Sequence, residues 1–119
     1  MPENLDQHID LSIIDMLKEV MEEDFLMLLH TYISDSQVRL QELAQAESDH
    51  ALEPLRRAAH CFKGSSANVG AERLSLLCQQ LEQEIFQGDE SNISMHLQLI
   101  YSEAEIVLTL LKQQYLTKN

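Results

Sequence analysis

The chain is poor in residues that interrupt helices: of 119 residues, 3 are Gly and 2 are Pro. With Leu, Glu and Gln abundant, that scarcity argues against strands joined by turns and for helices throughout. Cysteine is equally scarce. Cys61 and Cys78 form no CxxC pair, and a domain of this length buries roughly two thirds of its unfolded surface without a disulfide staple, so both read as free thiols. Cations are few as well. The 8 Lys and Arg against 20 Asp and Glu leave a formal net charge of −12, which repels phosphate backbones and excludes nucleic acid and anionic membrane surfaces as partners. No apolar run approaches the roughly 18 residues that a membrane span needs. The opening MPENLDQHID lacks the basic flank and apolar stretch of a secretory signal, so a cytoplasmic protein is expected. With no internal repeat and no linker, residues 1–119 read as a single domain.

What is present is helical periodicity. Asp10 is placed to cap a short first helix with Leu11, Ile14, Leu17 and Met21 at spacings of three and four. A second helix, about 22–47, carries Phe25, Leu29, Tyr32, Ile33, Ser36, Leu40 and Leu43 on one stripe. Asp49 or Ala51 opens a third, with Pro54 tolerated near its first turn and Gly70 as its stop. The fourth spans 72–87 with Leu74, Leu77, Leu81 and Ile85 inward, and Gly88 ends it. Ser91 or Asp89 caps the fifth, whose stripe is Ile93, Leu97, Ile100, Ala104, Val107 or Leu108, and Leu111. Short connections force neighbouring helices to pack antiparallel. The expected fold is therefore all-α: an antiparallel up-down four-helix bundle, its end covered by the short N-terminal helix, with polar outer faces that favour a monomer.

One stretch fits neither a core nor a plain surface: AAHCFKGSSANVG, residues 58–70. On a helical wheel with His60 at zero, Leu55, Ala58, Phe62 and Val69 fall within roughly 40° of the opposite side. His60 thus faces outward. Glu53, Arg56, Arg57, Lys63, Gly64 and Ala67 share its face, within roughly 60°. Four of the eight cations, Arg56, Arg57, Lys63 and Arg73, fall within 18 consecutive positions, so an acidic protein carries a local basic spot around His60.

An exposed imidazole is a competent nitrogen nucleophile near neutral pH. Proton abstraction would need a substrate pocket, and metal binding would need further ligands. Phosphoryl transfer asks for less: an accessible nucleophile and positive charge for the equatorial oxygens. Lys63, one turn on, can reach a phosphoryl group on the ring, and Arg56 can reach it from the other side. Gly64 costs roughly 0.5–1 kcal/mol relative to Ala inside a helix. Its absent side chain lets a macromolecular partner approach the imidazole.

At these residues the chain resembles the histidine-containing phosphotransfer (HPt) domain family. The resemblance is carried by Ala59, His60, Phe62, Lys63, Gly64, Ser65, Ser66, Val69, Gly70 and Ala71, then by Leu74, Leu77, Cys78, Leu81 and Glu82. It looks most like the stand-alone bacterial form, the HptB-type group. The resemblance implies a phosphorelay intermediate. His60 would accept a phosphoryl group from the receiver-domain aspartate of a hybrid sensor kinase and pass it to the receiver aspartate of a response regulator. Lys63 would steady the phosphoryl group and Gly64 would give docking clearance. Arg56, Arg57, Ala67, Arg73 and the outer side of the fourth helix are candidate partner contacts. The receiver would bring the Mg²⁺ and the acidic pocket, leaving this chain with no cofactor and no metal of its own.

Other readings compete. The same face could serve a helical adaptor that binds partners without chemistry. An autonomous kinase lacks both a Gly-rich nucleotide loop and room for an ATP-binding domain. Glu47 and His50 make one ExxH pair, whereas di-iron bundles use two such pairs and additional carboxylates. His8, near the chain end, and His30, His50 and His96 read as solvated side chains. Ser65 and Ser66 read as small residues that allow close helix packing. Cys61 diverges by about 100° from its neighbour His60 and cannot form a dyad with it.

Overall fold

The computed structural model describes residues 5–116, and all of its regular elements are helical. A short α1 (Leu5–His8) precedes α2 (Leu11–Met21), a 3₁₀ turn (Glu22–Asp24) leads into α3 (Phe25–Ser48), and α4 (Leu52–Asn68), α5 (Glu72–Gln87) and α6 (Ile93–Leu111) follow. A π-helical turn, Lys112–Leu116, ends the described chain. Helices α3 to α6 pack in succession and α6 closes back on α3. This is the expected up-down four-helix bundle.

The connections between bundle helices are short: residues 49–51, 69–71 and 88–92. Three helix ends use one device. Gly70 (φ +83°) and Gly88 (φ +77°) take the left-handed conformation. The amides of Gly70 and Ala71 then donate to Ala67 O (3.1 Å) and Ser66 O (2.8 Å), and those of Gly88 and Asp89 to Ile85 O and Glu84 O (both 3.0 Å). These paired bonds are the Schellman motif, which satisfies the last carbonyls of a helix. His50, a non-glycine at φ 52°, repeats the pattern after α3: its amide donates to Glu47 O at 3.1 Å and that of Ala51 to Ala46 O at 2.9 Å.

Helix starts follow the sequence less closely. Asp10 caps α2 as expected, accepting from the Ser12 amide at 2.9 Å. Ala51 and Asn92 stand at the N-caps of α4 and α6, and neither makes a side-chain cap bond. Asp49 instead ends α3, and Asp89 closes a turn on Ser91. Ala51, one of the two starts expected for α4, is therefore its N-cap, while Asp49 receives the Gln45 side-chain amide at 3.0 and 3.1 Å; for α6 the cap position falls on Asn92, beyond both expected residues, Asp89 and Ser91.

The core follows the apolar stripes. Phe62, Ile14, Leu29, Leu43, Leu55, Leu74, Leu81, Leu97, Ile100 and Leu111 are fully buried, each contributing about 1.5–3 kcal/mol of apolar burial. Both Val107 and Leu108 point inward. Ser66 earns its place among them through a buried hydrogen bond with Tyr32 Oη at 2.8 Å, and Ser36 Oγ donates to Tyr32 O at 2.7 Å. Burial pushes the Tyr32 phenol and the Cys78 thiol each up to about 12, so neither ionises near neutral pH. Cys61 is exposed.

The N-terminal segment covers the end of the bundle that carries the α4–α5 turn. The Asp10 amide donates to Gly70 O at 2.7 Å, and a Cβ on Gly70 would stand 3.0 Å from Asp10 O. Here the reading of His8 is corrected. It is buried, 3% exposed, with Nδ1 2.7 Å from Glu103 Oε2. The two residues are 95 positions apart, and α1 brings them together by folding onto α5 and α6. His96 is also not simply solvated: its Nδ1 stands 2.9 Å from Glu84 Oε1, an ion-pair distance without the alignment of a hydrogen bond. His30 and His50 are exposed.

Candidate functional site

The outward face of α4 carries the site, and α5 completes it. Leu55, Ala58, Ala59 and Phe62 anchor α4 in the core, and Ser75 Oγ on α5 donates to the Lys63 carbonyl at 3.0 Å. These contacts set the two helices in one register. His60 emerges between them with a side chain 59% exposed.

Glu82 organises what surrounds the ring. Its Oε2 lies 2.8 Å from His60 Nδ1 and 3.6 Å from Arg56 Nη1, while its Oε1 accepts from Lys63 Nζ at 2.9 Å. Burial alone would raise the Glu82 carboxyl. The hydrogen bonds and charges of Lys63 and His60 outweigh that and hold it below the ordinary glutamate range. The carboxylate is therefore ionised at neutral pH and accepts the proton on Nδ1. A carboxylate on one imidazole nitrogen fixes the tautomer and leaves the lone pair on the other. Nε2 has no hydrogen-bond partner among the described residues, on a side chain that is more than half exposed.

The basic spot expected around His60 is largely neutralised. Arg56 is held by Glu53, with Nε to Oε1 at 3.0 Å and Nη2 to Oε2 at 2.6 Å, and Lys63 by Glu82. A wheel drawn for one helix includes Glu53 but not Glu82, which comes from α5. The remaining candidates divide by position. Gly64 and Ala67 lie on the open face, and a Cβ on Gly64 would meet nothing within 4 Å. Arg57 turns to the opposite flank, where it lines a groove against α3 with Arg39 and Cys61. Arg73 stands at the start of α5, about 14 Å along the helix from Glu82, with Nη1 4.0 Å from Glu103 Oε1. It belongs to the covered end of the bundle and not to the surroundings of His60. Glu47 and His50 do not assemble a larger set: among the described residues, no three His, Cys, Asp or Glu side chains are grouped as metal ligands.

A model of the Hpt domain family matches residues 27–114, most of the chain. The chain belongs to the Hpt domain family. Among solved structures, this Hpt protein is similar to histidine-containing phosphotransfer protein B (HptB) from Pseudomonas aeruginosa PAO1, at 34% identity and a TM-score of 0.89. The match covers 94% of this chain and 97% of that one. No curated protein matches the sequence. The Hpt protein is thus a histidine phosphotransfer protein of a phosphorelay, a phosphocarrier whose partners are receiver domains. Among the described residues no helix is long and apolar enough to cross a membrane.

Glu82 is the residue to which sequence reasoning assigned no role. It was visible only as the acid that follows Leu81 in a motif, and nothing on α5 alone indicates that it meets His60.

Proposed function

We propose that His60 is the phosphoacceptor and that Nε2 is the atom that carries the phosphoryl group. The observation that supports this most is the Glu82 clamp, which occupies Nδ1 and leaves Nε2 free on an exposed face. In the transfer, the Nε2 lone pair attacks phosphorus in line, the bond from phosphorus to the aspartyl oxygen breaks, and the receiver regains its carboxylate. The Nδ1 proton stays in place. The ring becomes a phosphoimidazolium, and the Glu82 carboxylate offsets its positive charge. Lys63, one turn from His60, can leave Glu82 for the phosphoryl oxygens, since an ammonium on a flexible stem re-pairs readily. Running backwards, the same steps deliver the group to a second receiver. The donor in this proposal is the receiver of a hybrid sensor kinase and the acceptor that of a response regulator. The protein acts as a cytoplasmic monomer without ATP-dependent activity of its own.

Incubation with a phosphorylated receiver domain, followed by fragmentation of the labelled protein, tests the assignment. Acid-labile phosphate is expected on His60. Its recovery on His30, His50 or His96 instead would refute the proposal.

Glu82 supplies a second test. Where the imidazole is a metal ligand, losing an orienting partner of this kind costs about 10–100-fold in metal affinity or activity. Glu82→Ala is expected to slow acceptance by a similar factor, whereas Glu82→Gln, which still accepts from Nδ1, retains more of the rate. Equal rates for all three proteins would show that the clamp is not used.

A further inference from the structure

Burial in the core does not account for Phe86 on α5. It is 86% exposed, the most exposed of the large apolar side chains among the described residues. It stands one turn beyond Glu82 on α5. With Leu52, Glu53, Arg56, Glu82, Gln83 and Ile85 it lines an open groove of about 680 Å³ between the start of α4 and the end of α5. Leu52 and Ile85 are only half-buried there. Two of the lining residues, Arg56 and Glu82, also surround His60, so groove and site are one continuous surface.

We propose that this groove is an apolar anchor site for the receiver, taking an apolar side chain from the surface that flanks the receiver's acidic pocket, and that Phe86 sets affinity and partner choice without touching the chemistry. This rests on the reading of His60 as phosphoacceptor. Even a small, transient interface covers about 600 Å² on each partner, a disc of roughly 14 Å radius. Leu52 lies two turns from His60, roughly 12 Å along α4, and Phe86 lies one turn, roughly 6 Å, beyond the carboxylate that holds the ring. A receiver that brings its aspartate to Nε2 therefore covers the groove. Aromatic side chains near the middle of an interface dominate its affinity. Arg56 and Lys63 largely pair with Glu53 and Glu82 in the unbound protein, so apolar contact in the groove adds attraction that these cations do not supply. A second apolar groove, lined by Leu40, Tyr101 and Leu108, runs between α3 and α6, across the bundle from His60.

The test is transfer kinetics from a purified phosphorylated receiver domain that donates to the wild-type protein, measured against carrier concentration for wild type, Phe86→Ser and Phe86→Leu. Phe86→Ser is expected to raise KM roughly tenfold with kcat and helicity unchanged, and Phe86→Leu to stay within about threefold of wild type. Unchanged KM for Phe86→Ser, or a fall in kcat alone, overturns the anchor proposal. A wild-type dimer that Phe86→Ser converts to monomer with no change in KM would assign the groove to a second copy, and also overturns it. Failure of the carrier reading is separate: wild-type protein would then take no label on His60 from any receiver.

Discussion

His60→Gln is expected to abolish phosphoryl acceptance while leaving the fold intact. At 59% exposure the imidazole contributes little to packing, and glutamine keeps a polar side chain on the same face of α4. Its amide nitrogen has no available lone pair, so no nucleophile remains near the position of Nε2. The hydrogen bond with Glu82 can survive, because the glutamine amide donates to the carboxylate. The loss is therefore chemical and not structural. Transfer from a labelled receiver should fall to background, with thermal unfolding and helical circular dichroism close to wild type. Receiver binding should persist, so that the label taken up by the wild type and lost in the variant separates a carrier from a bare adaptor. If label accumulated equally on both proteins, the carrier reading would end.

Gly64 gives the second large effect, through a trade-off between stability and transfer. It lies inside α4, where Gly is less stable than Ala by roughly 0.5–1 kcal/mol. Nothing in the protein requires the vacancy, since an added Cβ meets no atom within 4 Å. Gly64→Ala should accordingly raise stability by about that amount. Gly64→Leu should fold as well as wild type yet lose transfer by about 10²-fold, since it stands one turn from His60 and displaces the receiver by the ångström or so that disrupts in-line geometry. Gly70 offers the contrast: its φ of +83° and its 3.0 Å approach to Asp10 O make it a structural glycine. Denaturant melts and transfer rates on the Gly64 variants check both halves. Unchanged transfer in Gly64→Leu would show that the clearance is not used.

Much of this architecture was legible in the order of residues. Spacings of three and four located the helices, Gly70 and Gly88 marked two of their ends, and the wheel of α4 put Phe62 inward and His60 outward. Helix starts were less legible. Asp49 accepts from the Gln45 side chain and Asp89 from Ser91, and a cap is a matter of local hydrogen-bond competition that residue type alone does not decide. His8 was misread because its partner is 95 residues away.

The site divides along the same line. An exposed imidazole beside Lys63 and Gly64 is a property of one helix, determined by sequence through the 3.6-residue repeat. Glu82 is not. Its meeting with His60 across 22 residues depends on the turn at Gly70 and on the packing that sets α5 against α4 in one register. That register decides which nitrogen of His60 is free, cancels much of the surrounding positive charge, and joins the groove that Phe86 lines to the site through Arg56 and Glu82. Periodicity along a helix is written in its own residues; the opposing carboxylate is chosen only when two helices pack.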